Sequence, residues 1–120
     1  MTRDDVARWL ERYTDAWRTY DPDAIRALFA EDAEYRYYPW GEPLRGAAAI
    51  VDDWLGDQDA PGTYEGTYEP YAVDGSRAVA VGTSTYTGEA GDRRYHNVFL
   101  LEFDERGACR SFTEVFAQER

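Results

Sequence analysis

The chain has 120 residues, 43% hydrophobic and 16% aromatic, enough for one domain over 1–120 with a real core. Its net charge of −11, from 24 acidic against 13 basic residues, opposes binding to nucleic acid phosphates and to anionic lipid. The single Cys109 excludes an intrachain disulfide, no apolar run reaches the ~20 residues of a membrane span, and the charged opening MTRDDVARWLERY does not read as a signal peptide, so a cytoplasmic location is expected.

The first element is a helix, because Val6, Trp9, Leu10, Tyr13, Ala16 and Trp17 recur on one helical face. Thr2 is placed to cap it, with Asp5 three residues on. Asp21-Pro22 suits an N-cap followed by the first helical position, and Ile25, Leu28 and Phe29 line a shorter second helix. Residues 33–38 alternate as a strand, with Tyr35 and Tyr37 on one face and Glu34, Arg36 and Tyr38 on the other. Pro39, Gly41 and Pro43 make a turn into a third helix, Ala47 to Leu55, burying Ile50, Val51 and Trp54. Four strands follow: Thr63 to Ala72, Arg77 to Thr87, Tyr95 to Phe103 and Cys109 to Ala117. Turn signals at Asp74-Gly75, Gly88 to Asp92 and Glu105 to Gly107 separate them. Helices first and strands afterwards predict an α+β fold, three helices on one face of a strongly curved antiparallel sheet.

Three stretches carry a family resemblance: RYTDAWRTYDPDAIRALFAEDAEY at 12–35, EPLRGAAAIVDDW at 42–54, and NVFLLEFDERG at 97–107 followed by FTEVF at 112–116. The chain resembles the NTF2-like superfamily, a cone-shaped α+β fold, and within it the SnoaL-like branch. The resemblance covers nearly the whole chain. It implies a range of activities (isomerases, dehydratases, cyclases, epoxide hydrolases) and non-catalytic binding modules, among which fold cannot choose. Set against the ketosteroid isomerases of that superfamily, Tyr13 corresponds to the oxyanion-hole Tyr. Their general-base Asp falls where this chain has Tyr37 or Tyr38, and their second Asp falls near Phe99. Two of three groups are absent, and a Tyr is a poor base at neutral pH, so that isomerase chemistry is not expected.

Candidate site residues follow from strand parity. Phe112, Glu114 and Phe116 share one face, so the two rings take Glu114 inward with them. A carboxyl among aromatic rings is desolvated and serves as an acid or base near neutrality. The alternative is an inward Glu paired with Arg36 or Arg45. Asn97 shares its face with Tyr95, Phe99, Leu101 and Phe103; it either donates to a ligand oxygen or orients Glu114. His96 lies on the opposite face with Val98 and Leu100, the outside of the cone. One His, one Cys and no carboxylate cluster disfavour a metal site, and Ser76, Ser84 and Ser111 lack a nucleophile's setting.

Tyr13, Trp17, Tyr35, Tyr37, Trp54 and Tyr86 exceed what a small core needs, and with Phe99, Phe112 and Phe116 they predict an aromatic pocket wall, with Trp40 at its rim. Two functional hypotheses result. One is a domain binding a small apolar or aromatic molecule, with Glu114 as acid/base and Tyr13 or Asn97 polarising an oxygen in cofactor-independent lyase, isomerase or cyclase chemistry. The other is a non-catalytic homodimeric interaction module whose cavity is filled by its own side chains, paired through the face of His96, Val98, Leu100, Val79, Val81, Thr83 and Thr85. Catalysis itself is left open. The acidic excess predicts a melting temperature that rises with KCl, since salt screens carboxylate repulsion beyond a Debye length of about 10 Å at 0.1 M.

Overall fold

A computed structural model describes residues 1–120. Helix α1, Arg3–Thr19, starts on a capping box. The Thr2 hydroxyl accepts from the Asp5 amide at 3.1 Å, and the Asp5 carboxylate accepts from the Thr2 amide at 2.9 Å. The helix buries Val6, Trp9, Leu10, Tyr13 and Ala16 and ends at Tyr20 in the left-handed conformation. Helix α2, Pro22–Leu28, is capped by Asp21, whose carboxylate accepts from the Asp23 amide at 3.0 Å.

Phe29 departs from expectation. It leaves the helix with extended backbone and opens strand β1, Phe29–Arg36, where it pairs with Cys109. The strand begins before residue 33, because an irregularity between Phe29 and Glu34 hides its alternation. It also stops at Arg36, so Tyr37 and Tyr38 lie in a bend. A two-residue strand β2, Leu44–Arg45, pairs with Glu34 and Tyr35 and was not foreseen. Helix α3, Ala47–Gly56, follows Gly46 at φ 92, a value that favours glycine. Ile50 and Trp54 are buried; Val51 is only half-buried against them.

Strands β3 (Tyr64–Asp74), β4 (Arg77–Tyr86), β5 (Arg93–Phe103) and β6 (Cys109–Gln118) form an antiparallel meander. The sheet order is β2-β1-β6-β5-β4-β3. The expected antiparallel sheet contains one parallel pair, β1 beside β6. No hairpin joins those two strands, so the path through α2 fixes the direction of β1.

The helices cover the concave face. Val6, Trp9, Leu10, Ile25, Leu28 and Ile50 share one buried cluster with Ala78, Ala80, Phe99, Leu101, Phe103 and Phe112 of the sheet. Gly82 lies in mid-strand between Tyr68 and Asn97, rather than in a turn or bulge. A Cβ there would stand 2.1 Å from the Thr67 carbonyl and 2.6 Å from the Tyr68 ring. Its absence lets the ring of Tyr68 lie close over β4.

Candidate functional site

The concave face closes toward Trp9 and Phe103 and opens at the other end into a cavity of about 650 Å³. Helix α1 supplies Tyr13 and Trp17 to its wall, and α3 supplies Asp53 and Trp54. The sheet supplies Tyr64, Tyr68, Ser84, Tyr86, Tyr95, Asn97, Glu114 and Phe116. Tyr37, Tyr38, Asp57, Asp59 and Arg93 complete the mouth. Trp17 and Trp54 stack at 4.0 Å, and Tyr13 meets Trp54 edge-on at 5.6 Å.

Glu114 is the carboxyl set deepest among these rings. Strand alternation turns it inward between Phe112 and Phe116, opposite Phe99. The Asn97 amide donates to its Oε2 at 2.6 Å, and the Asn97 oxygen accepts from Ser84 Oγ at 3.0 Å. Ser84, Asn97 and Glu114 thus form a polar diagonal across β4, β5 and β6. Tyr64 and Tyr68, joined hydroxyl to hydroxyl at 2.7 Å, line the same wall from β3.

No cation reaches Glu114. Arg45 bridges Glu34 at 3.0 Å and Glu42 at 3.2 Å instead, and Arg36 makes no ion pair. Loss of solvent pushes the Glu114 carboxyl up to about 7, against the Asn97 hydrogen bond, which favours the charged form. The group therefore exchanges a proton near neutrality. Burial raises the phenols around it, so they are donors and not bases. Tyr68 is pushed up to about 12, while Tyr13 and Tyr35 lie well above the ordinary tyrosine value. Tyr37 is raised by burial and by the Asp53 carboxylate, to which it donates at 2.5 Å.

Of the residues singled out by sequence, Tyr13, Trp17, Tyr37, Trp54, Tyr86, Asn97, Glu114 and Phe116 line one cavity. Tyr35, Phe99 and Phe112 do not. They are at most 1% exposed and form the packed floor, with Tyr35 stacked on Phe112 at 4.4 Å. Trp40 stands 70% exposed outside the wall, stacked on Tyr38. The strand ends at Arg36, so alternation stops in the bend that follows and Tyr38 reaches the cavity beside Tyr37. His96 is exposed on the convex side, hydrogen-bonded to Glu119 at 2.9 Å. Cys109 is fully buried, and burial pushes its thiol up to about 12.

Sequence reasoning missed Tyr64, Tyr68 and Ser84, whose parity was recoverable by counting back from Tyr86 across the β3–β4 register. It also missed Asp53, Asp57, Asp59 and Arg93, which sit at helix and strand ends where no period operates.

The model of the SnoaL-like domain family matches residues 10–110. No curated protein matches the sequence. An LEH-like epoxide hydrolase from M. tuberculosis is similar in structure, with a TM-score of 0.72 over 96% of this chain and 84% of that one, at 16% identity. An NTF-2 like protein of unknown function from Burkholderia xenovorans LB400 gives 0.74 over 98% and 86%, at 18% identity. A Delta 5-3-ketosteroid isomerase from Mycobacterium sp. gives 0.69 over 96% and 98%, at 15% identity. At such identities the likeness is one of fold.

Proposed function

The chain belongs to the SnoaL-like domain family, and from that premise we propose that it binds a small, largely apolar or aromatic molecule in the concave cavity and acts on it with Glu114. The observation that carries this reading is Glu114 itself: a carboxyl inside an aromatic wall, free of any cation, held by Asn97 at 2.6 Å. A group so placed takes a proton from one ligand atom and returns it to another, as lyase, isomerase or cyclase steps require. Asn97 fixes the carboxyl, and Tyr13, a donor on the facing helix, polarises a ligand oxygen.

Two measurements test the reading. Mass spectrometry of the protein before and after denaturation is expected to release one bound small molecule. Carbon-detected NMR of Glu114 is expected to give a titration near neutrality. A carboxyl titrating in the ordinary Glu range sinks the acid/base role whatever binds.

A second reading, a non-catalytic dimeric module, is favoured by the convex face. Leu100 is 45% exposed and Val115 38% exposed there, on adjacent strands. Monomers tend to avoid such a patch. Leu100→Asp is expected to shift light scattering from dimer to monomer, and His96→Ala to leave ligand binding intact. A wild-type monomer at micromolar concentration in high salt refutes the pairing.

A further inference from the structure

We infer that the ligand of this cavity is an organic cation, an aromatic or apolar body carrying an ammonium group that sits at the mouth. The inference rests on the binding reading above and adds the sign of the ligand's charge. Three carboxylates, Asp53, Asp57 and Asp59, stand on the α3 side of the mouth. None of them takes part in an ion pair, although the chain forms such pairs elsewhere. Asp53 receives only the Tyr37 phenol, Asp59 only that of Tyr20. Helix α3 ends among them, with Asp57 as its C-cap and no basic residue in its last turn. Its negative pole therefore adds to the carboxylates instead of being offset.

Charge alone would describe an acidic surface. The aromatic wall makes it a cavity for a cation, because ring faces attract ammonium groups through their quadrupoles. Trp17, half-buried and stacked on Trp54, stands in the same cavity wall as these carboxylates. The chain itself supplies an example: the Arg93 guanidinium, the one basic group lining the cavity, lies 5.5 Å from the centre of the Tyr86 ring.

The test compares isosteres. Benzyltrimethylammonium and neopentylbenzene share shape and differ in charge. Titration calorimetry at low salt is expected to give at least about tenfold tighter binding of the cation, a free-energy difference that cation–π and carboxylate contacts at a desolvated site supply. The variant Asp53→Asn, Asp57→Asn, Asp59→Asn is expected to lose most of that preference. A control carrying Asp4→Asn, Glu11→Gln and Glu105→Gln changes net charge equally at positions outside the cavity and is expected to keep it. Should the triple variant fold poorly, Asp57→Asn alone, at a side chain with no hydrogen bond to lose, is expected to weaken the cation severalfold. Equal binding of the two probes overturns the cation and leaves the pocket standing. Equal loss in the control overturns it too, in favour of the overall field. Binding of neither probe removes both the cation and the pocket.

Discussion

The two ends of the concave face are both aromatic and built differently. At the closed end, Trp9 packs against Phe29 and Phe103 at 6.1 and 5.6 Å, and its one polar atom donates to the Leu28 carbonyl at 3.0 Å. At the open end the rings are mostly tyrosines: Tyr37, Tyr38, Tyr64, Tyr68, Tyr86 and Tyr95. Ring area stabilises both ends by leaving water. A hydroxyl, however, needs a partner wherever it is buried. A wall of phenols is therefore suited to a surface that meets water or a ligand; Tyr35, buried in the packed floor with its hydroxyl unpartnered, is the exception.

This contrast predicts that the same substitution acts differently at the two ends. Trp9→Ala leaves a hole in the closed end and orphans the Leu28 carbonyl, so it is expected to cost about 3–5 kcal/mol in urea unfolding. Trp17→Ala, at the half-buried mouth, is expected to cost markedly less while weakening ligand binding. Equal losses of stability would mean that the mouth is core in all but shape.

Glu114 sharpens the comparison through pH. In the fold its carboxyl keeps its proton up to about pH 7, against 4.5 for the ordinary side chain. A raised value makes the group's contribution full below about pH 4.5 and lost as pH rises through about 7. Glu114→Gln carries no such penalty. The stability of the variant relative to wild type is therefore expected to grow between those values, by on the order of 3 kcal/mol. Chemical denaturation at a series of pH values measures it, and parallel curves would place Glu114 in water.

A further test lies at Gly82, beneath the ring of Tyr68. Gly82→Ala drives a Cβ against the Thr67 carbonyl, the Tyr68 backbone and the Tyr68 ring, for an expected loss of about 3 kcal/mol or more. The changed position of Tyr68 would appear in the near-ultraviolet circular dichroism before it appears in the melting curve.

Periodicity alone placed α1, α2 and α3, because capping and helical spacing are local: Thr2 with Asp5, Asp21 with Pro22, and Ile50 with Trp54. It turned Glu114 inward for the same reason, since the parity of one regular strand is fixed by the rings on either side. Parity failed where regularity failed. The irregularity after Phe29 and the bend after Arg36 put Tyr38 at the cavity and Trp40 outside it. Whether Glu114 would find an arginine or Asn97 was equally beyond the sequence. Each candidate partner lay at a different depth and distance, and a side-chain contact between separate elements is set by how they pack. The carboxylates of the mouth belong to that class too. Asp53, Asp57 and Asp59 look like ordinary surface charges in the chain, and only the position of α3 against the sheet brings them together beside the aromatic wall.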